Sequence, residues 1–401
     1  MKKLTRVRRR CRRSRSRRGA RSPTLLATGA ALVAAAVGAW FFAARPNSVP
    51  AIDAVIVYTA PTAQDVAYSL PPSARQQLAE VAASGGTVWL VRVEGDGTAS
   101  TTAVDLTPRT SKGELARVPA KVQADLADKT AMITAAMNTA TPGTKARALY
   151  DGLLDAHLPR DVPVMVFSSL LDENTVDFRR LAWETDPAQL VQTLADAHAL
   201  LDLTGHDVTF YLSATTGGQS LWPAADEYRQ TVWAALAEAG GAESVRFVDG
   251  QPGPATSSEQ VAVVPMWELP ASAAPVVEPV GYSCTLATSS AFLPNSDVLV
   301  SEPEVRAALA ECVALIGRSH VSATCSVAWF GPLGADGSPR DVGGVELSEH
   351  RAAAITSVIT TMGVPADHIS AKGAGNQEQP HPEDPTSPDN RVCVIKVDPT
   401  N

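Results

Sequence analysis

Gly363–Asn376 reads GVPADHISAKGAGN, and its order of signals decides how the last third of the chain folds. Gly363 follows a run with helical spacing and suits the position just past a helix, where a left-handed backbone closes the last turn. Pro365 lacks an N–H and bars the helix from resuming. Ile369–Lys372 reads as a short strand. Gly373 and Gly375 then admit backbone conformations that other residues resist. Helix, tight turn, strand and paired-glycine loop are predicted in that order.

The pattern continues outward on both sides. Glu346–Met362 places Ala352, Ile355, Ile359 and Met362 on one helical face. An earlier helix is predicted from about 302 to 317, with Val305, Leu309, Cys312 and Ile316 as its apolar stripe. Tyr282–Phe292, Ser322–Phe330 and Val392–Val397 (VCVIKV) read as strands. The order β-α-β-α-β and a final β predicts an α/β sandwich over residues 281–401.

Four short motifs in this region, FLPNSDVL (292–299), LSEHRAAAI (347–355), GVPADHISAKGAG (363–375) and DNRVCVIKV (389–397), resemble in their order the OmpA-like peptidoglycan-binding domain. The resemblance implies that the domain grips the diaminopimelate of peptidoglycan stem peptides. It implies two ligand-binding residues: Arg351, matching the arginine of the L-S-x-x-R motif, and Asp336, fifteen positions earlier in GADGSPRD. A guanidinium fork and a helix N-terminus suit a carboxylate, and an aspartate suits the ammonium of the same zwitterion. Asp336-Gly337 is also an ordinary turn dipeptide. The chain departs from the family pattern at Ala335, Pro339-Arg340, Gly344 and Asn390-Arg391-Val392, which puts ligand binding rather than the fold in question. Glu378–Asp389, acidic and proline-rich, reads as a solvated loop.

Cys284, Cys312, Cys325 and Cys393 are the disulfide candidates; the fifth cysteine is Cys11. On the strands and helix that this resemblance implies, Cys284 is expected to pair with Cys325 and Cys312 with Cys393. Small buried apolar thiols are the competing reading.

Residues 51–250 carry a different rhythm. Strands are predicted at Ala54–Thr59, Thr87–Val93, Val162–Phe167, Asp207–Leu212 and Ser244–Val248. Helices are predicted at Ser73–Ala83, 119–138, 145–157, Pro187–Leu201 and Ala224–Ala239. Apolar strands alternating with helices predict a mostly parallel sheet in an α/β layered domain. TPGTKARALYDGLLDA (141–156) and VPVMVFSSLLDE (162–173) weakly resemble the threonine loop and acidic loop of a von Willebrand factor A-like domain. That family often holds a divalent ion, and Thr62, Thr144 and Asp172 are the residues that could approach one another here. Tyr58 or Thr59 stands where its first aspartate belongs, and no metal is expected without that carboxylate. TTGGQS (215–220) lacks the lysine of a phosphate-binding loop and reads as a turn. Residues 251–280, rich in Pro, Ala and Ser, read as a linker, with a further strand possible at Val261–Trp267.

The start of the chain fixes its setting. Residues 1–21 hold 12 of the 34 Lys and Arg and no acid, while all 42 Asp and Glu lie beyond them. Ser22–Ala44 has no charge, and its 23 residues would form a helix of about 34 Å, long enough for a hydrocarbon core. Trp40, Phe41 and Phe42 sit at its far end, as interfacial aromatics do. The charge asymmetry predicts a single-pass membrane helix with the basic arm (1–21) in the cytoplasm and the bulk of the chain outside. A cleaved signal peptide is the rival reading. The acidic remainder argues against a nucleic-acid role for the arm.

The sequence thus predicts an α/β protein in three parts: a transmembrane helix, a von Willebrand A-like domain and an OmpA-like sandwich. The expected partners are peptidoglycan, the cytoplasmic membrane and an envelope protein bound by the middle domain. No cofactor and no enzymatic activity are expected, since the seven histidines are scattered and none pairs with a nucleophile. An accessory role in a stator or secretion machine and a wall-modifying enzyme are the alternatives. Ser22–Ala44 carries no carboxylate, which disfavours ion coupling in a stator.

Overall fold

The computed structural model describes residues 51–63, 65–141, 146–181, 185–213, 221, 223–249, 273–316, 319–329 and 342–398. The predicted membrane helix 22–44, the possible strand Val261–Trp267, Thr144 and Asp336 lie outside the described residues. No described helix is long and apolar enough to cross a membrane.

The first domain runs β1 (Ala54–Thr59), α1 (Pro72–Ser84), β2 (Thr87–Val93), β3 (Ala99–Asp105), α2 (Pro119–Met137), α3 (Leu149–Asp155), β4 (Val164–Ser168), α4 (Phe178–Leu181), α5 (Pro187–Asp196), β5 (Asp207–Leu212), α6 (Pro223–Ala239) and β6 (Ser244–Val248). The six strands lie in the order β3-β2-β1-β4-β5-β6. All neighbours are parallel except β3, which runs antiparallel to β2.

Every residue of β1 and β4 is buried, because both faces of the sheet are covered. Val55, Val57, Val164 and Val166 pack with Tyr150, Leu190, Leu194 and Trp233 of α3, α5 and α6. Ile56, Leu90, Met165 and Phe167 point the other way, onto Leu78, Val81, Ile133 and Met137 of α1 and α2. Alternation along each strand therefore feeds two separate cores, one on each side. The sequence reading missed β3, ASTTAVD, whose residues are exposed or partly exposed except Val104. An edge strand of that composition carries no apolar signal. The predicted helix 145–157 is shorter than expected, and Pro187–Leu201 stops at Asp196.

The second domain runs β7 (Val276–Val277), β8 (Tyr282–Ala287), α7 (Thr288–Ala291), α8 (Glu302–Ala314), β9 (His320–Ser326), α9 (Val345–Thr361), β10 (Ile369–Gly375) and β11 (Val392–Asp398). Its sheet order is β10-β9-β11-β8-β7. β10 and β9 are parallel; the other pairs are antiparallel. One face carries the core, built from Cys284, Leu286, Val321, Ala323, Cys325, Cys393 and Ile395 against Val305, Leu309, Ile355 and Ile359 of α8 and α9. β7, which the sequence places inside the 251–280 linker, adds an edge strand to this sheet, and Ala273 is buried in its core.

The expected disulfide pairing is corrected. Cys284 bonds Cys312, and Cys325 bonds Cys393. β11 lies between β8 and β9, so Cys284 and Cys325 sit two strands apart, beyond disulfide reach. Cys325 and Cys393 are direct partners in the β9–β11 ladder. Cys284 faces the core and straps the sheet to Cys312 on α8.

Candidate functional site

The stretch GVPADHISAKGAGN closes α9 and then returns along β10 to hold the start of the same helix. Gly363 has φ +103°, the left-handed closure its position requires. Gly373 meets α9 so closely that a Cβ there would stand 2.3 Å from the backbone nitrogen of Glu349. The Gly375 N–H donates to Ser348 Oγ at 2.9 Å. The Asn376 N–H donates to the Gly343 carbonyl at 3.2 Å, and Asn376 Oδ1 accepts from the Gly343 N–H, also at 3.2 Å. Paired glycines and an asparagine thus clamp the first turn of α9.

Arg351 lies on α9, two turns in, and is completely buried. Its Nε donates to the Ser296 carbonyl at 2.8 Å, and the guanidinium stacks 5.2 Å from the Phe292 ring centre. Both partners belong to the FLPNSDVL motif. That segment is folded on itself by a bridge between Phe292 and Leu299 and by a Leu293 N–H bond to the Val298 carbonyl. Desolvating a guanidinium is costly, and the carbonyl and the ring face offset part of that cost. Asp336 lies outside the described residues.

The N-terminus of α9 opens on a cavity of about 280 Å³. Asn295, Val327, Trp329, Arg391 and the helix residues Gly344–Leu347 line it, and Thr185, Asp186 and Gln189 of the first domain form the opposite wall. The cap residue Gly344 provides no side-chain hydrogen bond to the helix, so this end presents backbone N–H groups of the first turn. Such an end favours a carboxylate.

The sequence reading named Arg351 but missed the residues that hold it, Ser296 and Phe292. Their signal was the family-like FLPNSDVL segment itself.

A second polar centre lies in the first domain, at the C-terminal ends of β1 and β4. Arg147 bridges Asp65 (Nε to Oδ1, 3.4 Å) and Glu173 (Nη1 to Oε1, 3.0 Å), and its Nη2 lies 3.5 Å from Thr62 Oγ1. Thr62 Oγ1 donates to Asp65 Oδ2 at 2.6 Å. Asp172 accepts the Tyr150 N–H at 2.6 Å. All five polar side chains, Thr62, Asp65, Arg147, Asp172 and Glu173, are buried. Burial pushes the Asp172 carboxyl up to about 7, against the lowering effect of the Tyr150 and Leu149 N–H groups. Burial also raises Glu173 to about 7, with Arg147 and Arg179 pulling the other way.

The divalent ion that the von Willebrand A-like resemblance implies does not fit this arrangement. Thr59, in place of a carboxylate, is bonded to Tyr68 Oη at 2.8 Å, and a fixed guanidinium stands between the remaining acids. Among the described residues no group of three or more His, Cys, Asp or Glu could hold a metal.

No family model matches the chain, and no curated protein does. Solved structures similar to it include the OmpA-like domain of FopA1 from Francisella tularensis subsp. tularensis SCHU S4, at 20% identity over 33% of this chain and 86% of that one, with a TM-score of 0.25. The periplasmic domain of Helicobacter pylori MotB is similar at 17% identity over 33% and 90%, with a TM-score of 0.27. The cell wall anchor of the T6SS from Pseudomonas aeruginosa is similar at 16% identity over 32% and 87%, with a TM-score of 0.24.

Proposed function

We propose that this is a cell-envelope protein, held in the cytoplasmic membrane by Ser22–Ala44 with its N-terminus inside, that binds peptidoglycan non-covalently through its second domain. One observation carries the reading. The four motif segments, spread over residues 292–397, meet around one end of α9: Ser296 and Phe292 hold Arg351, Gly373 and Gly375 admit the helix, and Arg391 borders a cavity there. The α9 N-terminus, with Arg391 on the same cavity, suits the carboxylate end of diaminopimelate; Arg351 is assigned to that carboxylate and Asp336 to the ammonium. The first domain presents the C-terminal ends of its strands to a protein partner. The role is adhesive, with no catalytic step.

Co-sedimentation of the full-length chain with purified sacculi tests this. Wild type is expected in the pellet and released by free meso-diaminopimelate. Asp336→Asn is expected to weaken retention. Equal retention of Asp336→Asn and of a correctly folded Arg351→Lys would overturn the assignment of these two residues. No retention of wild type would overturn wall binding itself.

A further inference from the structure

We propose that Arg147 is the resident cation of the first domain's ligand crevice, a built-in side chain that does the work of a bound metal ion. In a sheet of order 3-2-1-4-5-6, the chain leaves β1 and β4 in opposite directions, and ligands lodge in the crevice this opens at their C-terminal ends. Thr62 and Asp65 follow β1, and Asp172 and Glu173 follow β4; all four are buried at those strand ends. Arg147 enters from the segment before α3 and ties the two loops. Its Nε faces Asp65, its Nη1 donates to Glu173 Oε1, and its own carbonyl accepts the Glu173 N–H at 2.9 Å.

Three buried carboxyl groups, once ionised, would repel one another without a counter-charge, having lost their hydration. A hard dication is one remedy, through oxygen ligands in a flexible shell. A guanidinium is another: it is planar, permanently charged and able to face carboxylates on two edges. The geometry here is of the second kind. Asp172 Oδ1 and Glu173 Oε2 have no hydrogen-bond partner among the described residues, so one guanidinium does not saturate the acids. The crevice keeps the chemistry of a dication site, with the cation supplied by the chain.

Titration of the full-length chain with Mn²⁺ alone, followed by the spin resonance of the free ion, tests the claim. Wild type is expected to show no saturable site, and its thermal midpoint is expected to stay unmoved by EDTA or millimolar Mg²⁺. Arg147→Ala is expected to speed hydrogen exchange in 60–66 and 169–177 and to gain a saturable Mn²⁺ site that slows it again. Saturable Mn²⁺ binding by wild type would overturn the proposal. So would an Arg147→Ala chain with unchanged exchange. If Arg147→Ala does not fold, Glu173→Gln decides: removing one partner of the guanidinium is expected to lower the midpoint by several degrees, and an unchanged midpoint overturns the proposal.

Discussion

Arg351 Nε donates to the Ser296 carbonyl 2.8 Å away, joining α9 to a loop 55 residues earlier in the chain. The same guanidinium covers Phe292. A residue marked by its motif as a ligand contact is therefore also a structural pin between the helix and the FLPNSDVL loop.

Arg351→Ala is expected to destabilise the second domain by about 2 to 4 kcal/mol, the loss of a charge-assisted hydrogen bond and a ring contact in a buried place. Denaturant unfolding of wild type and variant measures it. A loss below the error of the fit would show that the Ser296 bond contributes nothing.

Gly373→Ala and Gly363→Ala separate two reasons for glycine. At 373 a Cβ would collide with the Glu349 backbone, and a cost of about 1 to 3 kcal/mol is expected as α9 is pushed off β10. At 363 nothing lies within 4 Å, and only the left-handed backbone is strained, at about 1 kcal/mol. Thermal melts of both variants should rank 373 as the more damaging.

Peptide mapping without reductant should recover Cys284 with Cys312 and Cys325 with Cys393. The bonds close stretches of 28 and 68 residues. Removing either is expected to cost about 3.5 to 4.5 kcal/mol through the entropy of the unfolded chain, the longer loop more. Comparing Cys312→Ser with Cys325→Ser by chemical unfolding checks the order.

The first domain should lose stability as pH rises. Asp172 and Glu173 hold their protons to about 7, well above the ordinary carboxylate range, chiefly because they are buried. Their contribution is complete below about pH 4 and is lost as pH climbs through about 7. Asp172→Asn keeps an acceptor for the Tyr150 N–H and should flatten the profile of midpoint against pH. An equally steep profile in that variant would exclude Asp172 as a source.

Much of the architecture was legible because its strands announce themselves. AVIVYT and TVWLVRV are apolar enough that position and burial follow directly, and Gly363-Val-Pro fixes where α9 stops. β3 was not legible, since an edge strand of Ala, Ser and Thr has no core face to betray it. β7 is two residues between prolines and draws its identity from β8 alone. The cystine pairing failed on strand order. Nothing in the spacing of four cysteines says that the C-terminal strand slips between β8 and β9. Arg351 was found through its motif. Arg147 was not legible, since nothing in the sequence says that the arginine before Ala-Leu-Tyr is buried.

The two cystines also set how the second domain responds to tension. A pull along the chain enters at β7 and β8 and leaves past β11, loading the sheet from its edge strand to its middle. The segment from Cys284 to Cys312 and the one from Cys325 to Cys393 cannot lengthen while their bonds hold. Between them only residues 313–324, from the end of α8 through most of β9, are free to pay out. The domain therefore behaves as a nearly inextensible link, yielding little contour length even after its hydrogen bonds part.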